Sequence, residues 1–167
     1  MVERISLALD GARVEWDPAE LLRGGDTADP AAPPAWELVG SVDWDRTSWL
    51  RVISASFGES GLAVAIARPT GATTPDRDTV AAARLTPVGT DDGGEALVSS
   101  EYDAEGVVRR VGVELLLEGG ASRRIAGDRS GEPAETLLGA LRRTAISMEF
   151  RLDGERGSGL HELIRAA

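Results

Sequence analysis

Cysteine and lysine are both absent from this 167-residue chain. The lack of cysteine excludes disulfides, thiolate metal sites and thiol nucleophiles, and it favours a reducing compartment. Without lysine, all 18 basic residues are arginines, and together with 28 acidic residues they give a net charge of −10. This acidity disfavours binding to a nucleic-acid backbone or to an anionic membrane surface. We therefore expect no nucleic-acid and no membrane partner. The all-arginine usage is typical of GC-rich bacterial genomes.

Long apolar runs and histidines are also scarce. No segment is apolar for long enough to be a signal peptide or a transmembrane span, so we expect a cytoplasmic protein. The single histidine, His161, excludes histidine-rich metal sites. No motif indicates a metal or an organic cofactor. The length suits one domain over residues 1–167, with a Pro/Ala-rich surface loop at residues 26–34.

Alternation of apolar and polar residues dominates the chain and predicts strands. The clearest pattern is a hairpin from Ile146 to Ile164 around Asp153-Gly154, a dipeptide that suits a type I′ turn. A second hairpin is predicted around Asp10-Gly11. The spacing of the strands and turns predicts a mainly β fold, an antiparallel barrel or sandwich built from hairpins. One short helix is predicted after Asp17, and residues 132–143 fit either a second short helix or a strand.

The positions of apolar residues on two predicted strands indicate what covers the faces of those strands. One strand places Trp49, Arg51, Ile53, Ala55 and Phe57 on a single face. The next strand, residues 62–67, has large apolar residues on one face and alanines on the other. This pattern indicates a strand that is covered on both sides, or one whose small-residue face borders a cavity.

The densest cluster of reactive and binding side chains is the segment 43–49. Carboxylates two residues apart on a strand share a face, so Asp43 and Asp45 could form an acid pair or a cation site. The indoles of Trp44 and Trp49 could wall an apolar pocket. The alternative is a strand entry with Asp–Arg pairing and buried indoles.

The other candidate residues lie later in the chain. His161 could act as a general base or a hydrogen-bond donor, whereas the alternative is an ordinary strand histidine. His161 and Glu162 are adjacent, so on a strand their side chains point to opposite faces and do not act together. The acid–base candidates are Asp43, Asp45, Tyr102, His161 and Glu162. Phe150, in the C-terminal hairpin, faces either a packed core or a cavity.

Five short motifs occur in a characteristic order. They are Asp45-Arg-Thr-Ser-Trp49, Phe57-Gly-x-x-Gly61, Arg68-Pro-x-Gly71, Ser100-Glu-Tyr-Asp-Ala-Glu-Gly106 followed by Arg109-Arg110, and Leu152-Asp-Gly-x-x-Gly-x-Gly159 with Glu162 and Arg165. Over about residues 40–167, this order resembles the hydroxyneurosporene-synthase and AttH-like group of calycin proteins.

The resemblance implies a lipocalin-like, up-and-down barrel with a cavity for an apolar, lipid-like or terpenoid-like ligand. It places one matching segment near the barrel mouth, namely Asp45, Arg46, Thr47, Ser48 and Trp49. Members of the group typically pair two barrels, whereas this chain has room for one. A site between two barrels would therefore require a homodimer or be absent.

Three functions are consistent with these patterns. The first is a binding module for an apolar small molecule, with ligand contacts from Trp44, Trp49, Phe150 and the segment 46–48. The second is an enzyme, such as a hydratase, cyclase or isomerase, acting on a hydrophobic substrate. The third is a structural or accessory subunit that pairs through an exposed β edge.

Overall fold

The computed structural model describes residues 4–9, 11–24, 29–91, 95–116 and 122–167, and these residues are mainly in strands. The helix α1 spans Pro18–Gly24, and a single 3₁₀ turn spans Pro75–Arg77. The strands are β1 (Ile5–Leu9), β2 (Ala12–Trp16), β3 (Trp36–Gly40), β4 (Thr47–Ser56), β5 (Gly61–Pro69), β6 (Thr79–Thr86), β7 (Gly89–Asp91), β8 (Glu95–Tyr102), β9 (Val108–Leu116), β10 (Ser122–Arg129), β11 (Ala134–Leu138), β12 (Leu141–Leu152) and β13 (Glu155–Ala166). The predicted mainly β fold is confirmed.

The strands form two antiparallel sheets. The larger sheet has ten strands in the order β7-β6-β5-β4-β13-β12-β10-β9-β8, with β11 paired to the side of β12. This sheet curls until β6 comes close to β8, which gives a half-barrel. The smaller sheet has the order β1-β2-β3. Most neighbours in the large sheet are joined by short turns, so the prediction of hairpin-built antiparallel strands is also confirmed.

The C-terminal hairpin forms as predicted. Its strands β12 and β13 are in register from Leu141 opposite Ala166 to Leu152 opposite Glu155. The two residues between them have positive φ, 51° at Asp153 and 81° at Gly154, as a type I′ turn requires. The sequence of residues 132–143 fits either a helix or a strand. In the structure these residues include β11 and the start of β12.

The N-terminal hairpin and helix also agree with the sequence. Strands β1 and β2 pair with Leu9 opposite Ala12, while Asp10 of the predicted turn lies outside the described residues. The Asp17 carboxylate accepts a hydrogen bond of 2.9 Å from the Ala19 amide. This contact satisfies one of the free N–H groups at the start of α1.

The inward face of the half-barrel forms one apolar core. It includes Ile53, Ala55, Phe57, Leu62, Val64, Ile66, Val111, Val113, Ile125, Ile146, Met148, Phe150 and Leu152. These residues alternate along their strands, so each strand contributes every second side chain to the interior.

A second apolar core lies on the outer face of the same sheet. There the three-stranded sheet and α1 cover β4, β5 and β13, and the contacts include Val14, Trp16 and Trp36. Three alanines of β5, Ala63, Ala65 and Ala67, belong to this outer core. Strand β5 is thus covered on both sides, and its small residues allow the second sheet to pack closely.

Candidate functional site

The half-barrel contains a cavity where the curled sheet fails to close. Strand β8 pairs with β9, and the described residues include no ladder between β8 and β6. The space between them is a cavity of about 880 Å³. It is lined by the ends of β4, β5 and β6, by the loop before β6, and by β8.

A stack of rings and guanidinium groups forms one wall of this cavity. The guanidinium carbon of Arg51 lies 4.2 Å from the centre of the Trp49 ring and 4.8 Å from that of the Tyr102 ring. Arg68 lies on Trp49 as well, at 4.6 Å. Cations are attracted to aromatic faces, and more strongly when partly desolvated. These contacts place Arg51 against two rings.

The two arginines of the stack differ in their partners. Arg68 donates two hydrogen bonds to the Asp78 carboxylate, from Nε at 2.8 Å and from Nη2 at 2.9 Å. This bidentate pairing raises the pKa of Arg68. Arg51 makes no ion pair with any described carboxylate, and its buried Nε has no hydrogen-bond partner there. Burial, and secondarily the charge of Arg68, lower the pKa of Arg51 to about 10, so Arg51 is still cationic at neutral pH.

Another part of the cavity wall is apolar. Ile66 and Val80 contribute from β5 and β6, and Ala96 and Val98 contribute from β8. These residues also pack against the inner core. The cavity therefore has an apolar side that continues into the protein interior and a cationic side at Arg51.

His161 points into the half-barrel near Arg51. It lies opposite Ile53 of β4 and Ile146 of β12, both of which are inner-core residues. The side chain is buried, and its Nε2 has no hydrogen-bond partner among the described residues. Burial, with the charge of Arg51 as a second cause, lowers the pKa of His161 to about 3. The imidazole is thus neutral at physiological pH.

Glu162 lies on the opposite, outer face, as the alternation along β13 predicts. Its carboxylate accepts hydrogen bonds from Arg143 Nε at 2.7 Å and from the indole Nε1 of Trp36 at 2.6 Å. Arg143 also donates to the carbonyls of Pro30 and Ala32, at 3.0 and 2.9 Å. Burial raises the pKa of Glu162, while Arg143 and Trp36 oppose that shift. These contacts attach β3 to β13 and the segment before β3 to β12.

The predicted 43–49 cluster is divided between several environments. Asp43 and Asp45 are exposed in the turn before β4, where Arg46 lies 3.7 Å from the Asp43 carboxylate. Trp44 packs against the outer core. Trp49 alone of this segment lines the cavity.

Two further residues of the predicted segment, Thr47 and Ser48, begin β4 beside the exposed turn and are half-buried and exposed, respectively. Phe150 is buried in the inner core, where the ring lies 2.6 Å from the site that a Cβ atom on Gly127 would occupy. Of the five acid–base candidates, Tyr102 lines the cavity. Trp49 and Tyr102 are thus the two predicted residues that the fold brings together.

Arg51, Arg68 and Asp78 were not among the predicted site residues. A signal for Arg51 was present, because it is the one charged residue on the inward-facing series from Trp49 to Phe57. A cation on an otherwise apolar strand face has to find a partner, a cavity or solvent.

Within the described ranges, no cluster of three or more His, Asp or Glu side chains is arranged to hold a metal ion. In the same part of the chain, the helices are too short to cross a bilayer.

Comparisons with known proteins show a similarity of fold. No family model and no curated protein sequence matches the chain. The fold is similar to the crystal structure of kievitone hydratase from Nectria haematococca, with a TM-score of 0.54 and 13% sequence identity. The match covers 97% of this chain and 64% of the hydratase, so the chain spans less than two-thirds of that protein's length. This likeness supports a curled, calycin-like β fold for the chain.

Proposed function

We propose that this protein binds an apolar small molecule in the cavity between β6 and β8. The main support for this proposal is the cavity itself. Its volume of about 880 Å³ lies within the range of roughly 300–1,000 Å³ that is typical of small-molecule sites. Its lining is mixed, because eight of the sixteen lining residues are apolar or aromatic and the other eight are polar or charged. Such a wall suits a small molecule that has an apolar body and a few polar groups.

The proposal is tested by filling the cavity from β8. Val98 faces the cavity and packs against the inner core, so Val98→Trp places an indole in the space that a ligand would occupy. Glu101 is an exposed residue of the same strand, and Glu101→Trp serves as the matched control. Both variants add an indole to β8, and only the first reduces the cavity volume.

The measurement is native mass spectrometry of protein purified from a lipid-containing lysate. We expect a co-purifying small molecule in the wild type and in Glu101→Trp, and its loss in Val98→Trp. If the wild type carries no such molecule, or if Val98→Trp retains it fully, the binding proposal is wrong.

An enzyme acting on a hydrophobic substrate is a second candidate. It is favoured by the position of Tyr102, which is both a predicted acid–base residue and part of the cavity wall. The similar structure is that of a hydratase, which is compatible with this role. Conversion of the co-purifying molecule by the wild type, but not by Tyr102→Phe, would support catalysis. Recovery of the molecule unchanged would support binding alone.

A further inference from the structure

We propose that the bound molecule carries a carboxylate, which Arg51 holds, and an apolar body that lies along Ile66, Val80 and Val98. This inference rests on the proposed binding function and adds the chemical class of the ligand. Three features of Arg51 support it: the lack of an ion-pair partner among the described residues, the contacts with two aromatic rings, and the charges around it.

Arg51 is a half-buried cation that has no ion-pair partner among the described residues. The nearest acidic residue of the stack, Asp78, is already occupied by two hydrogen bonds from Arg68. Arg51 has neither an ion pair nor a partner for Nε among the described residues. Burying a charge without a partner is costly. A ligand anion in the cavity would supply the missing negative charge.

The guanidinium of Arg51 also has hydrogen-bonding capacity that no described residue uses. Its central carbon lies over the Trp49 and Tyr102 rings, at 4.2 and 4.8 Å from the ring centres, and these contacts take up none of its conventional N–H hydrogen bonds. A carboxylate matches a guanidinium because its two oxygens can accept two parallel hydrogen bonds.

The charges around Arg51 limit the number of negative charges on the ligand. Four other charged residues line the cavity: Arg68, Asp76, Asp78 and Glu95. Arg68 and Asp78 neutralise each other. Asp76 and Glu95 are exposed, and a hydrogen bond from Thr74 lowers the pKa of Asp76 and keeps it ionised. One unpaired cation beside two acidic residues favours a single negative charge over a phosphate or a polyanion.

The test compares two probes of similar shape, 2-naphthoate and 2-naphthalenemethanol, by isothermal titration calorimetry at neutral pH. A charged hydrogen-bonding partner is worth about 1.5–3 kcal/mol, which corresponds to roughly a 10- to 100-fold difference in Kd. We therefore expect the wild type to bind the carboxylate at least about tenfold more tightly than the alcohol.

Two variants test whether Arg51 causes the difference in affinity between the two probes. In Arg51→Met, the carboxylate should lose at least about tenfold in affinity, while the alcohol should change by less than about twofold. The matched control is Arg110→Met, because Arg110 is exposed on β9 and paired with Asp128. That variant should bind both probes as the wild type does.

The single histidine provides an NMR probe of where the carboxylate binds. His161 is the only histidine in the chain, and the charge of Arg51 already affects it. Saturation with 2-naphthoate should shift the NMR signals of the His161 ring more than saturation with the alcohol. Both probes carry the same ring system, so the difference reports the carboxylate charge.

The outcomes separate this inference from the proposed function. Equal affinity of the wild type for the acid and the alcohol would overturn the carboxylate inference and leave the apolar binding site standing. Failure of both probes to bind would overturn both. The comparison in the wild type needs no variant to fold, so a misfolded Arg51→Met would not prevent the decision.

Discussion

The buried ion pair between Arg143 and Glu162 is a sensitive point for the stability of this fold. The two side chains are each 1% exposed, and Nη2 of Arg143 lies 2.6 Å from Oε1 of Glu162. The change Glu162→Gln keeps the shape of the side chain and an acceptor for the Trp36 indole. It removes the negative charge and leaves Arg143 buried as an unpaired cation.

The expected cost follows from this burial. Removing one partner of a buried pair destabilises a protein by about 3–5 kcal/mol, because the remaining charge has lost both water and its counterion. A typical domain has a free energy of unfolding of only about 5–15 kcal/mol. Glu162→Gln should therefore remove a large fraction of the stability of the protein. The double variant Arg143→Met/Glu162→Gln should recover most of the loss, since it removes the orphaned cation.

The assay is urea unfolding at pH 7, followed by tryptophan fluorescence. The control is Asp128→Asn, which removes the carboxylate from an ion pair with Arg110 that has a similar N–O distance of 2.8 Å but side chains 62% and 56% exposed. Exposed pairs contribute about 1 kcal/mol or less. If Glu162→Gln costs no more than Asp128→Asn, the reasoning from burial is refuted.

Three further predictions concern other positions. Below pH 6.5 the unfolded state binds a proton at His161, whereas the folded state, in which the pKa of His161 is about 3, does not. The free energy of unfolding should therefore be highest above pH 6.5 and should fall as the pH drops toward 3. At pH 5 we expect a loss of about 2 kcal/mol relative to His161→Gln. Gly159→Ala should cost roughly 1–3 kcal/mol or more in urea unfolding, because its Cβ would overlap the Ser54 carbonyl of β4. Phe150→Ala should cost about 3–5 kcal/mol in the same assay, since the ring is 1% exposed.

Each of these predictions has an outcome that would contradict it. Wild type and His161→Gln would show the same pH dependence if the imidazole could take up a proton in the folded state. Gly131→Ala is the control for Gly159→Ala, because its Cβ would meet only ordinary contacts, the nearest at 3.7 Å; equal costs would argue against the close approach of β13 and β4. A small effect of Phe150→Ala would indicate a loosely packed interior.

Local pattern explains why the hairpins could be predicted. Alternation and an Asp-Gly turn are properties of adjacent residues, so the pairing of β12 with β13 can be read from the sequence. The order of the large sheet cannot be read in the same way. Strand β13 also pairs with β4, with Ser158 opposite Ser56, and nothing near either residue indicates that partner.

The site was only partly predictable for the same reason. Alternation correctly places Arg51 with Trp49, and it places His161 and Glu162 on opposite faces. The contact between Arg51 and Tyr102 depends on how far the sheet curls, which is a tertiary property. The exposed turn at Asp43 and Asp45 contains the same residue types as a site, but its carboxylates face solvent because the chain enters the sheet only at Thr47.

The central position of β13 has a consequence for the rate of folding. Trp36 and Glu162 are hydrogen-bonded although they are 126 positions apart in the chain, and β4 acquires its second neighbour only when β13 arrives. Such non-local pairings slow folding, because the chain loses much conformational entropy before the stabilising contacts between the strands form. Until then β4 has an open, apolar edge, which is the kind of surface through which unfinished chains associate. We expect refolding to be slow and to give lower yields as the protein concentration rises.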